Sequence, residues 1–325
     1  MAKSKFGVTL DNVWADYRRC ARRSRALKGK LDDVRMSALL LVTLSGVLGL
    51  LSTQVPESLN PARILSFASA LAAAMGGYIS AQALSAGLER EWVLSRGIAE
   101  ALKSEAYRYL SRVPPYASAQ QVDNDETLSQ RAGEYRDRIT LGSFLRLDDT
   151  ERAKGLPEDW LTMDAYLQVR VRDQIEYYEK NAQLNSERVD RLRGTTIGLG
   201  ALAVVLGAAH GVYKEMVSIA AWIPVVTSIS GAVTTHIFAG RFQFLAQTYE
   251  TMVSRLNRLT ESWERVPDAD KPLRQAEFVT RFEEILLVEN KQWVAEFDKA
   301  AERSSAGEGA PAPDAKAGGA AAAKQ

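Results

Sequence analysis

Gly194–Gly240 is the stretch that most limits what this chain can fold into. It lies between Arg193 and Arg241, and its only formal charges are the neighbours Lys214 and Glu215. That pair divides it into two apolar runs, Gly194–Tyr213 and Met216–Gly240. A hydrocarbon core is crossed by about 20 apolar helical residues, so each run is long enough. The joint between them leaves room only for a tight turn, which predicts a transmembrane hairpin. Met36–Val55 and Ile64–Leu88 repeat the device, split by a short loop with Glu57 and Arg63. The predicted fold class is an all-α integral membrane protein. It has two transmembrane hairpins, four spans in all, with long amphipathic cytoplasmic helices forming a bundle.

Averages conceal this pattern. The net charge is +1 and the mean hydropathy −0.18, both ordinary for a soluble protein, because four apolar runs are diluted by charged segments. A near-neutral chain offers no global electrostatic ground for binding nucleic acid. Cys20 is the sole cysteine and cannot form an internal disulfide, which fits a reducing compartment. A long basic segment precedes Met36, so the first apolar run lies too far in for a cleavable signal. Lys and Arg crowd the N-terminal, central and C-terminal segments, while the hairpin loops offer only Arg63 and Lys214. The positive-inside rule then places both termini in the cytoplasm of a multi-pass membrane protein.

In chain order, residues 1–12 read as flexible, and 13–116 as a first two-span module with spans at 36–55 and 64–88. A linker at 117–160 carries a short helix near Glu126–Ile139. A second module covers 161–303, with spans at 194–213 and 216–240, and 304–325 is a Gly-, Ala- and Pro-rich tail unable to bury a core. Val13, Tyr17, Cys20, Ser24, Leu27, Leu31 and Val34 form one helical stripe before the first span. Trp92, Ala99, Leu102, Ala106 and Tyr109 continue an apolar stripe after the second. Thr162 or Asp164 suits a helix cap. The helix it opens carries Leu167, Val171, Tyr178, Ala182, Asn185, Val189 and Leu192 on one face. The cleanest periodicity follows the fourth span: Phe242, Leu245, Tyr249, Met252, Leu256, Leu259 and Trp263, a cytoplasmic stalk. A last helix, about Leu273–Ala301, presents Phe278, Phe282, Ile285, Trp293 and Phe297. Each half thus reads as amphipathic helix, span, turn, span, amphipathic helix, an internal repeat of plan.

Glu91-Trp92, Arg96, Ala99 to Glu105, Tyr107, Tyr109-Leu110 and Pro114-Pro115-Tyr116 resemble the bacterial SLATT families, two-span membrane modules associated with SMODS nucleotidyltransferases and SLOG proteins. So do Tyr166 to Arg170, Asp173-Gln174, Tyr177-Tyr178 and Lys180-Asn181-Ala182. The resemblance implies a tandem of two such modules over roughly residues 10–300. It also implies a bacterial inner-membrane effector that permeabilises the membrane when a nucleotide-linked sensor fires. With no sensor or nucleotide-synthesising domain visible, the trigger is expected from a separate nucleotide-producing or nucleotide-sensing protein.

No catalytic constellation stands out, so no enzymatic activity, cofactor or metal is expected. The only histidines, His210 and His236, lie inside spans, where titratable groups are often functional. With Ser228 and Thr235 they form a possible polar path, or they simply reach interfacial water. Small residues one turn apart let helices approach closely in lipid. Gly49, Gly77, Gly194, Gly198, Gly207, Gly211 and Gly231 therefore mark expected packing or assembly contacts, with the adjacent span or with another copy in a homo-oligomer. Pro224 is expected to bend the fourth span. Arg18, Arg19, Arg22, Arg23 and Arg25 could hold anionic lipid headgroups, or serve as an orientation signal on a solvated face. Two functions remain: an oligomerising effector that opens or deforms the bilayer in a conflict response, and a non-conducting scaffold that recruits a cytoplasmic partner through its bundle.

Overall fold

The computed structural model describes residues 6–56, 60–83, 86–137, 154–213 and 217–305. Both hairpin tips (57–59 and 214–216), Ile139, Ser85 and the tail from 306 lie outside the described residues, as do the side chains of Trp293 and Phe297. Helix α1 spans Val8–Gln54, α2 Asn60–Ala83, α3 Ala86–Leu110 and α4 Gln121–Arg136. The second half holds α5 (Met163–Val212), α6 (Val217–Ala220), α7 (Trp222–Gly240), α8 (Phe242–Glu264) and α9 (Lys271–Ser305). Four helical stretches are long and apolar enough to cross a membrane: α1, α2, α5, and α7 with α8. The chain is all-helical with four candidate spans, as its apolar runs predict.

Local chemistry sets the boundaries. Helix α1 begins at Val8, ahead of the expected Val13. Phe6 and Leu10 extend the same 4-3 spacing upstream; Leu10 is fully buried, and Phe6 meets the edge of Trp160 at 5.1 Å between ring centres. Residues 6–12 are thus held by core packing rather than loose. Helix α4 begins at Gln121, before the expected Glu126, because the Ser118 hydroxyl accepts from Gln120 N (3.1 Å) and Asn124 Oδ1 from Ser118 N (3.2 Å). Leu128 and Ala132 are its buried face. Thr162 caps α5, its hydroxyl accepting from Ala165 N at 3.3 Å. Leu167–Arg172 form a π-helical turn inside α5.

Pro224 does not bend a span. Helix α7 starts at Trp222, so Pro224 sits in its first turn, where a backbone N–H has no intrahelical acceptor and the ring removes nothing. The interruption lies beyond the other end of α7. Arg241 adopts the left-handed conformation (φ 49°, ψ 28°) between α7 and α8. Gly240 precedes it, and a Cβ there would collide with the Phe242 ring.

Within the membrane-spanning part, α1 packs on α2, α5 on α7, and α1 on α7, so both hairpins meet within one chain. The first hairpin is the tight one. Ser69 Oγ donates across it to Ser45 O at 2.8 Å. A Cβ on Gly49 would lie 3.0 Å from Ser69 Oγ, and one on Gly76 3.3 Å from Leu41 Cβ. Outside the spans, the first half of α1, with α3, α4, the first half of α5, α8 and α9, shares a single hydrophobic core. In α8, Phe242, Leu245, Tyr249, Met252, Leu256 and Trp263 are buried, and α8 packs on α5.

Candidate functional site

A polar collar joins the spans to the bundle. Arg35, just before the first span, donates to Glu89 Oε1 at 3.2 Å. The same oxygen lies 3.9 Å from Arg241, just after the fourth. Arg193, before the third, donates to Gln243 at 2.8 Å. One layer of side chains therefore links the membrane ends of α1, α3, α5 and α8. At about 1.5 Å per helical residue, movement of any of these helices is felt at the collar within a turn or two.

Immediately beyond the collar, α1, α3, α5 and α8 enclose a cleft of about 500 Å³, within the range of ligand pockets, roughly 300–1,000 Å³. Each helix offers one face. Arg18, Arg25, Lys28 and Asp32 come from α1, Arg96, Glu100 and Lys103 from α3, Asp173, Tyr177 and Arg188 from α5, and Tyr249 from α8. Six lining cations therefore face three carboxylates. Arg96 Nη1 donates to the Tyr249 hydroxyl at 3.0 Å. Lys103 sits over the rings of Tyr17 (5.7 Å) and Tyr107 (6.0 Å), and Lys28 over Trp92 at 5.0 Å. Burial pushes the Lys28 ammonium below its ordinary value, opposed by Asp32 at 3.4 Å and reinforced by the guanidinium groups of Arg35 and Arg188. Surplus positive charge, aromatic faces and amide side chains such as Asn181 and Gln174 meet in one concavity.

Behind the cleft lies a fully buried ion pair. Arg170, on the π-helical turn, donates from Nε to Glu283 Oε1 (2.9 Å) and from Nη2 to Oε2 (2.8 Å). Tyr166 donates its hydroxyl to the same carboxylate at 2.8 Å, and Arg170 Nη1 donates to Gln174 at 3.3 Å. The guanidinium also stacks 4.7 Å from the Tyr107 ring. Burial works against the Arg170 charge, but the Glu283 carboxylate outweighs it and holds that pKa well above the ordinary value. Burial, then Glu283, pushes the Tyr107 phenol up to about 12. The pair pins α5 to α9, and through Tyr107 to α3. A second group of the same composition sits in the first half. Glu105 accepts from Tyr116 (2.5 Å) and Arg131 (3.1 Å).

The expected arginine cluster divides. Arg18 and Arg25 line the cleft. Arg19 pairs with Asp16 at 2.6 Å and Arg23 with Glu91. Arg22 is exposed and also has a partner. His210 and His236 are partly buried on different helices, His236 with its ring 5.8 Å from Phe242. Ser228 is exposed. Thr235 donates to Gly231 O within its own helix at 3.0 Å, as Thr227 does to Ile223 O at 2.8 Å and Thr234 to Ser230 O at 2.9 Å. A Cβ on Gly207 would reach Ile223 Cδ1 at 4.0 Å, whereas Gly77, Gly194, Gly198, Gly211 and Gly231 meet nothing within 4 Å. Burial, then Asp16, pushes the Cys20 thiol up to about 11, which keeps it protonated and unreactive. The sequence reading missed Arg170 and Glu283 as a pair. The available sign was that Glu283 falls between Val279 and Leu286 at core spacing, and all three are buried.

Fold and composition thus define an all-helical, multi-pass membrane protein whose spans stand on a charged, cleft-bearing bundle. Residues 166–293 match the family described as SMODS and SLOG-associating 2TM effector domain 1 (SLATT_1). Residues 14–124 match another, described as a protein of unknown function, DUF4231. The chain therefore pairs one SLATT_1 segment with a segment of a differently described family, where two SLATT modules were expected. Arg170 and Glu283 both fall in the SLATT_1 segment, and the cleft is lined from both segments. No curated protein and no solved structure matches the chain.

Proposed function

We propose that this chain is an effector of the bacterial inner membrane that assembles with copies of itself and permeabilises or deforms the bilayer in a nucleotide-linked conflict response. Both termini face the cytoplasm in this reading. One observation carries the assembly: the third span belongs to the SLATT_1 segment, yet none of the 18 residues in its most apolar window is buried. Ile197, Val204 and Val205 are 73%, 72% and 63% exposed, and Gly194 and Gly198, one turn apart, meet nothing within 4 Å. Small residues one turn apart allow close backbone approach, a main source of helix attraction in lipid. Thr227, Thr234 and Thr235 bond within their own helix and Ser69 bonds to Ser45 O of the neighbouring helix, so these span hydroxyls are already engaged within one copy. That favours opening between copies or in lipid, and it is equally what a non-conducting scaffold would show.

Dye and ion leakage from cells expressing the protein, with and without a nucleotide-producing partner enzyme, separates the two. Gly198→Leu adds bulk only on the open face and Leu inserts favourably, so insertion should persist while assembly and leakage are lost. Gly207 is the poorer probe because it faces Ile223 in the same chain. Leakage that never rises under any condition would leave the scaffold.

A further inference from the structure

The membrane end of the cleft, just below the collar, carries cations for which the described residues supply too few acceptors. Lys28 and Asp32 of α1 and Arg188 of α5 line it there. Asp32 lies 3.4 Å from Lys28. Arg188 is exposed and has no carboxylate among the described residues; its guanidinium lies over the Phe242 ring at 5.7 Å. A guanidinium stacked on a ring keeps its in-plane N–H groups for a pair of phosphate oxygens. Behind them Arg35, its side chain 10% exposed, shares the Glu89 carboxylate with Arg241. The buried Arg35 Nε meets no acceptor among the described residues. Lys28 feels the positive charge of both Arg35 and Arg188, so the three act as one electrostatic group. Cations gathered in a half-buried concavity favour an anion, because attraction there is screened less than in bulk water.

Depth selects the anion. Counted along their helices, Arg188 lies about 9 Å and Lys28 about 12 Å before the third and first spans. The Phe242 ring under Arg188 also lies 5.8 Å from the ring of His236, inside the fourth span. Lys28 rests on Trp92, one turn from Glu89 in the collar. Both contacts hold the cations near the level of phospholipid headgroups, a layer about 5–7 Å thick on each side of the hydrocarbon. The membrane side is open to lipid. Met36 and Leu40 at the start of the first span are 45% and 60% exposed, and Ile197 at the start of the third is 73% exposed. The arginines that the sequence offered for headgroups lie deeper in the bundle. Arg25 is about 16 Å and Arg18 about 27 Å before Met36, while Arg19 and Arg23 are paired.

We propose that the membrane end of the cleft, between Lys28 of α1 and Arg188 of α5 with Arg35 behind them, holds the phosphate of an anionic phospholipid. A zwitterionic lipid carries its own ammonium and gains less from the same cations. Within the membrane α7 packs on both α1 and α5, which make little contact with each other. A phosphate shared by Lys28 and Arg188 therefore joins two helices that the protein itself leaves apart. The site does not depend on the effector reading, since a scaffold would hold the same lipid.

The test uses the full chain in phosphatidylcholine nanodiscs carrying increasing phosphatidylglycerol or cardiolipin. Lipid retained after transfer to neutral detergent is counted by native mass spectrometry, with glycerol 3-phosphate as the soluble competitor. Anionic lipid should saturate at a fixed number per chain, outlast phosphatidylcholine and resist glycerol 3-phosphate. Arg188→Gln should weaken retention about tenfold, the loss of one charge-assisted hydrogen bond. Arg191→Gln removes the same charge three residues away on α5, but that side chain is 79% exposed and lies outside the cleft lining, so retention should change less than about twofold. Lys28→Gln, on the facing helix, is the second variant and should act as Arg188→Gln does. Unaltered thermal unfolding of the variants in phosphatidylcholine excludes misfolding as the cause. Three results overturn the proposal: anionic lipid is retained no better than phosphatidylcholine, Arg191→Gln weakens retention as much as Arg188→Gln, or glycerol 3-phosphate displaces the lipid and so marks a site for soluble phosphates. Retention without leakage keeps this site and loses the effector function, whereas leakage without retention loses the site alone.

Discussion

Glu283 and Arg170 show how one residue can tie distant parts of the chain together. Their side chains are 0% exposed and separated by 113 residues, so neither charge can be removed alone without stranding the other. Breaking one partner of a buried pair is destabilising by about 3–5 kcal/mol, while exposed pairs contribute about 0–1. Glu283→Gln should therefore lower the thermal midpoint by many degrees. Arg281→Gln, which removes an exposed pair with Glu277 two residues away on α9, should barely move it. Thermal unfolding of the two variants side by side checks the contrast; equal effects would mean that the buried pair is not what joins α5 to α9. A charge at core spacing was visible at Glu283, but its partner was not. Nothing local to residue 170 marks it as buried, since the carboxylate that receives it lies 113 residues away on α9.

At the scale of elements, periodicity carried most of the information. The 4-3 stripes of α1, α3 and α8 face the core, with Tyr17, Leu27, Val34 and Leu259 only partly buried, because a helix that is apolar on one side has one low-energy way to face its neighbours. Leu256 is fully buried in the α8 stripe. Leu256→Asp places a carboxylate there without a partner, which costs several kcal/mol. The bundle should lose thermal stability and α8 should become accessible to protease, readable by limited digestion in detergent; an unchanged digestion pattern would mean that α8 does not depend on this packing. The small-residue spacings were less informative. Gly49 makes a close contact and Gly77 does not, although both were equally plausible from spacing. Gly76, one residue away, takes the contact, because rotating a helix by a single residue swings a side chain through about 100°. Pro224 shows the same sensitivity to register: a start at Trp222 instead of Met216 turns an expected kink into a harmless first-turn residue.

At the scale of the whole molecule, four helices are long and apolar enough to cross a membrane, and we propose from the charge distribution that both termini lie on the cytoplasmic side. With basic residues on the bundle side, cysteine introduced at Ser58 should react with an impermeant reagent in intact cells, and cysteine at Ser304 only after permeabilisation. The native Cys20 is buried and gives little background. Labelling of Ser304→Cys from outside would invert the arrangement.

The sequence by itself determined the all-helical class, the four candidate spans and which side of α1, α3 and α8 faces the core, because apolar length and helical period are properties of neighbouring residues. Only the tertiary structure decided that the two hairpins pack in one chain, that Arg170 finds Glu283, and that cations from α1, α3 and α5 surround one cleft. Those depend on which helix faces lie opposite one another, and residues 70 to 170 positions apart acquire a common surface only when the bundle closes around them.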